Sequence, residues 1–152
     1  MMNDDTIHIH PPLFAGLCLM GALALQYMLP GLRLFHSPHH VIGPLLVMAG
    51  VASMLPAATI FGVRGTTRNP YGEPAAFVSS PPYTFTRNPM YLGIVLVLGG
   101  LAVWAGSAVM LLAPLAFYLT IDRLVIPREE RTMERLFGDE YVQYKARVRR
   151  WL

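Results

Sequence analysis

The sequence is poor in cysteine and in charged residues. Its 152 residues include one cysteine, Cys18, so no disulfide can form within the chain. Charged residues make up 14%, compared with roughly 25% in a typical soluble domain. Hydrophobic residues, in contrast, make up 54%. This balance argues against a soluble globular protein and predicts a single membrane domain over residues 1–152.

Long apolar runs account for this composition, and charges occur only in the last of them, where Asp122 and Arg123 lie near its end. An α-helix needs about 20 residues to span a hydrocarbon core of roughly 30 Å. Gly106 and Ser107 allow a tight reversal, so the last two of these runs are expected to form a helical hairpin. The predicted fold is an all-α integral membrane protein with about four transmembrane helices, at residues 13–32, 41–63, 89–105 and 108–126.

The polar segments indicate how the chain is oriented. Residues 64–88 carry four charged side chains, which are too costly to place at the centre of a bilayer. With four spans, this segment, residues 127–152 and the N-terminus share one side. Eleven of the twelve Lys and Arg residues are assigned to that side, ten in these segments and Arg123 at the adjoining end of the last span, and only Arg33 is opposite. The positive-inside rule therefore predicts a multi-pass protein of the inner (cytoplasmic) membrane with both termini in the cytoplasm.

Residues 127–152 have the pattern of amphipathic cytoplasmic helices. Apolar residues recur at intervals of three and four from Met133 to Trp151, which predicts one apolar helix face. Gly138 followed by Asp139 indicates a helix stop and a new start. Four basic residues are expected on the other face, against an anionic membrane surface: Lys145, Arg147, Arg149 and Arg150.

Neither a metal nor a nucleic acid is a predicted partner. The histidines form two groups, one of His8 and His10 and one of His36, His39 and His40. The predicted topology puts these groups on opposite sides of the membrane, so they cannot complete one ligand set. No nucleic-acid motif is present, and lipid headgroups better explain the basic residues. The predicted partner is the lipid bilayer.

The most informative stretch is residues 79–93, where a polar, proline-rich loop runs into an apolar helix. Pro89 suits the first turn of a helix, because its missing N–H has no intrahelical partner there, and Asn88 is a favoured N-cap. The free N–H groups and the positive dipole end of this helix face the loop that carries Arg87. The junction therefore predicts a site for an anionic group.

Residues near this junction also have ordinary structural interpretations. An interfacial position explains Arg87, and the aromatic belt of a membrane interface explains Tyr83, Phe85 and Tyr91. The Glu129-Glu130 pair is explained by a favourable interaction with the dipole of its helix. The functional alternative is that one of the glutamates reaches the junction, since both elements lie on the same predicted side.

Two motifs, in this order along the chain, resemble a known family. The first is Tyr83-x-x-x-Arg87-Asn88-Pro89-x-Tyr91-x-Gly93, and the second runs from Glu129-Glu130 through Phe137-Gly138, Tyr141 and Tyr144 to Arg150-Trp151. Over about residues 64–152 the chain resembles the isoprenylcysteine carboxyl methyltransferase and phospholipid N-methyltransferase superfamily of membrane enzymes. That family often has His where this chain has Asn88.

The resemblance implies a membrane methyltransferase that depends on S-adenosylmethionine. The cofactor would be held on the cytoplasmic side by residues of about 64–88 and 127–152. A lipid-like or prenylated acceptor, a carboxylate, an amine or a thiol, would enter from the bilayer. The implied cofactor-binding residues are Tyr83, Arg87, Asn88, Pro89, Tyr91, Gly93, Glu129 and Glu130, and the implied catalytic residues are Arg87 and Glu130. Aromatic side chains there would suit the sulfonium cation.

Two other classes of function stay open on the sequence. Membrane reductases of the sterol-reductase type share similarities with the C-terminal region but use NADPH, and no second basic cluster for a 2′-phosphate stands out here. A non-catalytic membrane scaffold would use the tyrosines and arginines as anchors. Binding of S-adenosylhomocysteine, of NADPH or of neither would distinguish the three classes.

Overall fold

A computed structural model describes residues 9–29, 39–63 and 77–152 of the chain. Several predicted features lie outside these ranges: residues 1–8, the end of the first span at 30–32, the loop after it, and residues 64–76 of the long loop. The fold and the candidate site are described from the remaining residues.

Five α-helices form the described part of the chain. They are α1 (Pro11–Met28), α2 (His39–Val63), α3 (Pro89–Trp104), α4 (Leu112–Thr120) and α5 (Ile126–Arg147). A 3₁₀ turn, Val109–Leu111, precedes α4, and a π-helical turn, Ile121–Val125, joins α4 to α5. Three helical runs, Pro11–Met28, His40–Ile60 and Val109–Arg147, are long and apolar enough to cross a membrane, and α3 is a shorter apolar helix. The predicted all-α membrane fold is confirmed.

The four apolar runs alternate in direction. At one end of the bundle, Gln26 near the end of α1 contacts the hydroxyl of Ser107, in the turn between α3 and α4. At the same end, Gly43 near the start of α2 lies against Trp104, the last residue of α3. We call this the far end. The opposite end, where residues 77–88 lead into α3, is called the loop end.

α2 and α3 pack with their backbones in close contact. A Cβ atom at Gly50 of α2 would lie 2.6 Å from the carbonyl oxygen of Gly93 on α3, and one at Gly100 would lie 2.8 Å from the carbonyl oxygen of Gly43. Small residues allow this approach between membrane helices. The two glycine pairs therefore fix how α3 is placed against α2.

The π-helical turn joins the last apolar run to the C-terminal helix, and α5 begins at Ile126, beside Pro127, where the sequence predicts the change to the C-terminal segment. The π-helical turn starts the helix anew at Ile126, so Pro127 lies in the first turn of α5 and its missing N–H is not needed. Further along α5, Gly138 has φ 51° and ψ −129°, which interrupts the helix. The predicted break at Gly138 is confirmed.

Two clusters of buried side chains form the core of the described residues. One lies between α3, α4 and the start of α5 and consists of Leu98, Phe117, Ile121, Val125 and Ile126. The other lies at the loop end and consists of Ala57, Val78, Tyr83, Tyr141 and Tyr144. The second cluster buries the apolar face of α5 against residues 77–83, so α5 is held over the loop that leads into α3.

Candidate functional site

The start of α3 is fixed by neighbours on two sides. α3 begins at Pro89 with Asn88 as the N-cap residue, as predicted, but the Asn88 side chain does not cap the helix. Its Nδ2 atom instead donates to the carbonyl oxygen of Arg150 at 3.0 Å. On the other side, Ser53 Oγ of α2 donates to the carbonyl oxygen of Pro89 at 2.9 Å. The helix start therefore lies between α2 and residues 148–152, which we call the 148–152 segment.

Arg87, just before this helix, is largely buried and has many partners. Its side chain is 10% exposed, and Nη2 donates to Glu130 Oε1 at 2.7 Å. Nη1 donates to the carbonyl oxygens of Lys145 and Val148, each at 2.9 Å. The backbone N–H donates to the carbonyl oxygen of Arg149 at 3.0 Å. The remaining guanidinium nitrogen, Nε, is buried without a hydrogen-bond partner among the described residues.

Glu130 is the centre of an ion-pair network. Its Oε1 accepts from Arg87 Nη2 and, at 3.3 Å, from Arg150 Nε. Its Oε2 accepts from Arg150 Nη2 at 2.8 Å and lies 3.6 Å from Lys145 Nζ. Burial by itself raises the pKa of Glu130, but the Arg150 hydrogen bond and the charges of Arg87, Arg150 and Lys145 together hold it below its ordinary value. Glu130 is therefore ionised at neutral pH.

Glu129 has a different environment although it is the adjacent residue. The Tyr91 hydroxyl donates to Glu129 Oε1 at 2.7 Å. Within the described ranges, no lysine or arginine forms an ion pair with Glu129. Burial raises the pKa of Glu129 to about 7; the charge of Glu130 adds to the rise, and the Tyr91 hydrogen bond opposes it. Titratable groups whose pKa values are moved in opposite directions are typical of acid–base sites.

Arg150 and Trp151 connect this network to the last membrane span. Arg150 Nη1 donates to Asp122 Oδ1 at 3.2 Å, and Trp151 Nε1 donates to the same oxygen at 2.9 Å. The Trp151 ring packs on Tyr118 with 4.9 Å between ring centroids. The carbonyl oxygen of Arg150 accepts from Thr86 Oγ1 at 3.0 Å. The 148–152 segment is thus bound both to the span and to the loop.

These contacts correct one expectation about the basic residues. The sequence predicts that Lys145, Arg147, Arg149 and Arg150 all face a lipid surface, which is wrong for two of them. Lys145 pairs with Glu134 and Glu130, and Arg150 pairs with Glu130 and Asp122. Arg147 and Arg149 are exposed. A buried carboxylate attracts nearby cations more strongly than water-facing headgroups do, because the local dielectric constant is lower.

The structure brings together four of the predicted site residues: Arg87, Tyr91, Glu129 and Glu130. Tyr83 is buried beside them. Its carbonyl oxygen accepts from Tyr144 at 2.6 Å, and burial, with Tyr144 and Glu129 nearby, raises its pKa.

The surroundings of three further residues in the 79–93 stretch differ. Pro89 is buried at the start of α3, and Phe85 is 74% exposed. Gly93 lies against Met54 and Gly50 of α2.

Asp122 is a site residue that the sequence reasoning did not assign. An aspartate at the end of an apolar span is costly unless it is paired, which is a signal that a partner exists. The spacing along the chain does not identify that partner, because Arg150 is 28 residues away. Thr86, which is 3% exposed, was not predicted either, because its partner, the Arg150 carbonyl oxygen, is also distant along the chain.

The all-α membrane fold and the residue pairs at its loop end are compatible with a membrane enzyme, and the comparison with known families gives the class. The model of the phospholipid methyltransferase family matches residues 38–140, which is more than half of the chain. The chain belongs to the phospholipid methyltransferase family.

Two curated relatives are similar to this chain. An uncharacterized protein of Haemophilus influenzae is 44% identical over 63 residues, which cover 41% of this chain and all of that protein. Methanethiol S-methyltransferase 1 of Bradyrhizobium diazoefficiens is 34% identical over 92 residues, which cover 59% of this chain. That match spans 31% of the length of the Bradyrhizobium protein. No solved structure matches the chain.

Proposed function

We propose that the protein is an S-adenosylmethionine-dependent methyltransferase that methylates a lipid-like or small amphipathic acceptor at the membrane. The observation that carries the proposal is the contrast between two adjacent carboxyl groups. Glu130 is bound by cations on both oxygens, whereas Glu129 is bound by the Tyr91 hydroxyl. One carboxylate therefore holds the site together, and the other is suited to chemistry.

The residues present fit S-adenosylmethionine, which carries a carboxylate, an ammonium, a ribose diol and a sulfonium. The buried Nε of Arg87, which lacks a partner among the described residues, is a donor for the carboxylate, and the positive end of α3 favours the same charge. Glu129 can accept from a hydroxyl or an ammonium group, and the rings of Tyr83 and Tyr91 suit a cation. When bound, the cofactor supplies an electrophilic methyl group.

Arg87 and Glu130 have linked roles in this proposal. Arg87 binds the cofactor carboxylate through Nε. Glu130 and the carbonyl oxygens of Lys145 and Val148 hold the other nitrogens of the guanidinium group, so that Nε is kept in one orientation. Positioning of this kind provides much of the rate enhancement when two reactants must meet in line.

Glu129 takes the proton of the acceptor. Glu129 would take the proton of the acceptor S–H or N–H group, and the acceptor would gain the methyl group as the bond between that methyl and the cofactor sulfur breaks, which leaves the sulfur as a neutral thioether. A group with a pKa of about 7 is suited to this transfer at neutral pH. A carboxylate acceptor has no such proton and would be repelled by Glu129, so we propose a thiol or an amine.

A thiol is the acceptor to test first. The curated relative from Bradyrhizobium is named for S-methylation of methanethiol, and a thiol is the easier of the two groups to deprotonate. An acceptor of this kind that carries an alkyl chain would enter the site from the bilayer, since the site lies at the end of apolar helices. The excess of Lys and Arg at this end supports a cytoplasmic location in the inner membrane, with both termini on that side.

The test is calorimetric titration of the detergent-purified protein with S-adenosylhomocysteine, with NADPH as the parallel ligand. We expect saturable binding of S-adenosylhomocysteine in a ratio near one to one and none of NADPH. Binding of NADPH alone by folded protein would assign the chain to the reductases. Binding of neither ligand would favour a scaffold.

A transfer assay then identifies the acceptor. Methyl-labelled S-adenosylmethionine is supplied with a thiol, an amine and a carboxylate that share one alkyl chain. We expect the labelled methyl group on the thiol or the amine. We expect the Glu129→Gln variant to bind S-adenosylhomocysteine but to transfer the methyl group about 10²- to 10⁴-fold more slowly. Arg147→Gln, at an exposed position on the same helix, is the control. Label on the carboxylate alone would contradict the proposed proton transfer.

A further inference from the structure

We infer that Arg150 is a positioning residue of the cofactor site, which acts through Glu130 and is anchored by Asp122 in the last span. This role rests on the proposed function, because the property that Arg150 sets is the affinity for the cofactor. Neither the family match nor the curated relatives assign a role to Arg150 or Asp122, and the family match ends at residue 140.

The Arg150 guanidinium bridges two carboxylates that belong to different parts of the fold. Nη2 and Nε donate to the two oxygens of Glu130 on α5, at 2.8 and 3.3 Å. Nη1 donates to Asp122 in the π-helical turn, at 3.2 Å. A planar group with five N–H donors can make these bonds at the same time, whereas the single ammonium group of a lysine cannot.

The bridge continues to Arg87. Glu130 Oε1 accepts from Arg150 Nε and from Arg87 Nη2, so one oxygen is shared by the two guanidinium groups. The orientation of the Glu130 carboxylate is therefore set from one side by Arg150. Through that carboxylate, Arg150 also orients Arg87, whose Nε is the proposed donor to the cofactor.

The backbone of Arg150 holds the second half of the site. Its carbonyl oxygen accepts from Thr86 Oγ1 and from Asn88 Nδ2, each at 3.0 Å. These residues lie on both sides of Arg87 and lead into α3. Side chain and backbone of one residue thus align the glutamate on α5 with the loop that carries Arg87, which an ordinary surface arginine does not do.

Asp122 gives this arrangement a fixed point. It lies in the π-helical turn Ile121–Val125, and π-helical turns occur frequently at functional sites. It accepts from Arg150 and also from Trp151 Nε1 at 2.9 Å, and the Trp151 ring rests on Tyr118. A carboxylate at the end of a span needs such partners, since it is costly to leave unpaired in the membrane.

The pH at which Glu130 becomes protonated provides a specific test of this role. Among the described residues, the charged and titratable groups around Glu130 are Arg87, Arg150, and the α5 residues Glu129, Tyr141 and Lys145. Burial raises the pKa of Glu130, and the hydrogen bond from Arg150 is the largest effect that lowers it. Removal of Arg150 therefore raises the pKa of Glu130. Glu130 then becomes protonated, and releases Arg87, at a higher pH than in the parent protein.

The experiment measures the affinity for S-adenosylhomocysteine by calorimetry between about pH 5 and pH 8. The proteins are the full-length parent, Arg150→Gln and the control Arg147→Gln. We expect Arg150→Gln to bind about tenfold more weakly at neutral pH, since the charged hydrogen bonds that orient Glu130 are lost. We also expect its affinity to fall, as the pH is lowered, at a higher pH than in the parent. Arg147→Gln should match the parent in both respects.

Arg150→Lys keeps the charge but cannot bridge both carboxylates, so we expect intermediate affinity and a smaller shift in the same direction. If melting curves show that Arg150→Gln does not fold, Arg150→Lys tests the role instead, by its affinity at neutral pH and by the pH at which that affinity falls. A folded Arg150 variant with the affinity and pH dependence of the parent would overturn the role. Equal weakening at every pH would also overturn it, because the effect would not pass through Glu130. A folded parent that binds no S-adenosylhomocysteine would overturn the proposed function and this role with it.

Discussion

The hydroxyl of Tyr91 donates a hydrogen bond of 2.7 Å to Glu129, and this contact joins the first turn of α3 to the start of α5. A second contact, from Arg87 to Glu130, joins the same two regions at the same distance. The two links differ in chemistry, since one is an ion pair and the other joins two groups that can both be neutral. The Arg87–Glu130 ion pair therefore depends little on pH near neutrality, whereas the Tyr91–Glu129 hydrogen bond depends on it strongly.

The first prediction concerns the pH dependence of methyl transfer. If the Glu129 carboxylate accepts the proton, kcat/KM rises with pH through about 7, the pKa of Glu129. The Tyr91 hydrogen bond lowers that pKa, so Tyr91→Phe raises it and moves the acidic limb of the profile to higher pH. Tyr27→Phe, at an 89% exposed position on α1, should leave the limb unchanged. An unmoved limb in Tyr91→Phe would mean that another group controls the reaction.

The second prediction concerns the stability of the ion-pair network. Arg87→Met leaves Glu130 buried with one cation fewer and leaves two carbonyl oxygens without their donor. Removal of one partner of a buried pair costs about 3–5 kcal/mol. We expect a clearly lower melting temperature in detergent, with Arg87→Lys between Arg87→Met and the parent. Arg147→Met is the control at an exposed arginine, and equal melting of Arg87→Met and the control would contradict the assigned structural role.

The parts of the fold that follow from local chemistry were predictable from the sequence. The apolar runs were found because charged groups are excluded from the hydrocarbon core. The start of α3 was found because Pro89 and Asn88 have strong positional preferences. The approach of Arg87 and Tyr91 to the two glutamates followed from the topology together with the resemblance.

The partners of buried polar groups were not predictable in the same way. The side chain of Asn88 was expected to cap α3, but it bonds the Arg150 carbonyl, which the 148–152 segment brings close. Capping preferences describe a helix end that faces water, and here another part of the chain competes for the amide. Likewise, an amphipathic pattern assigns Arg150 to the outer face, because the pattern contains no information about a carboxylate on a neighbouring element.

The third prediction concerns the contact between α2 and α3. A Cβ atom at Gly93 would lie 2.3 Å from Met54 Cγ and 2.6 Å from the Gly50 carbonyl oxygen. We expect Gly93→Ala to cost about 1–3 kcal/mol, as in other overpacked sites, and to weaken S-adenosylhomocysteine binding by moving the start of α3. Gly99→Ala on the same helix has no atom within 4 Å. Gly99→Ala should therefore be neutral or stabilising. Equal melting temperatures for Gly93→Ala and Gly99→Ala would contradict the close packing of α2 against α3 at Gly93.

The last prediction separates backbone conformation from side-chain space at Gly138. A Cβ atom there would also meet no atom within 4 Å, but the residue has φ 51° and ψ −129°. Residues other than glycine are strained in this conformation, at a cost of about 1–3 kcal/mol. Gly138→Ala should therefore lower the melting temperature, whereas Gly16→Ala, at an equally open position within α1, should not. Because Tyr141, Tyr144 and Lys145 follow this break, Gly138→Ala should also weaken S-adenosylhomocysteine binding. If Gly138→Ala and Gly16→Ala have the same melting temperature, α5 is not interrupted at position 138.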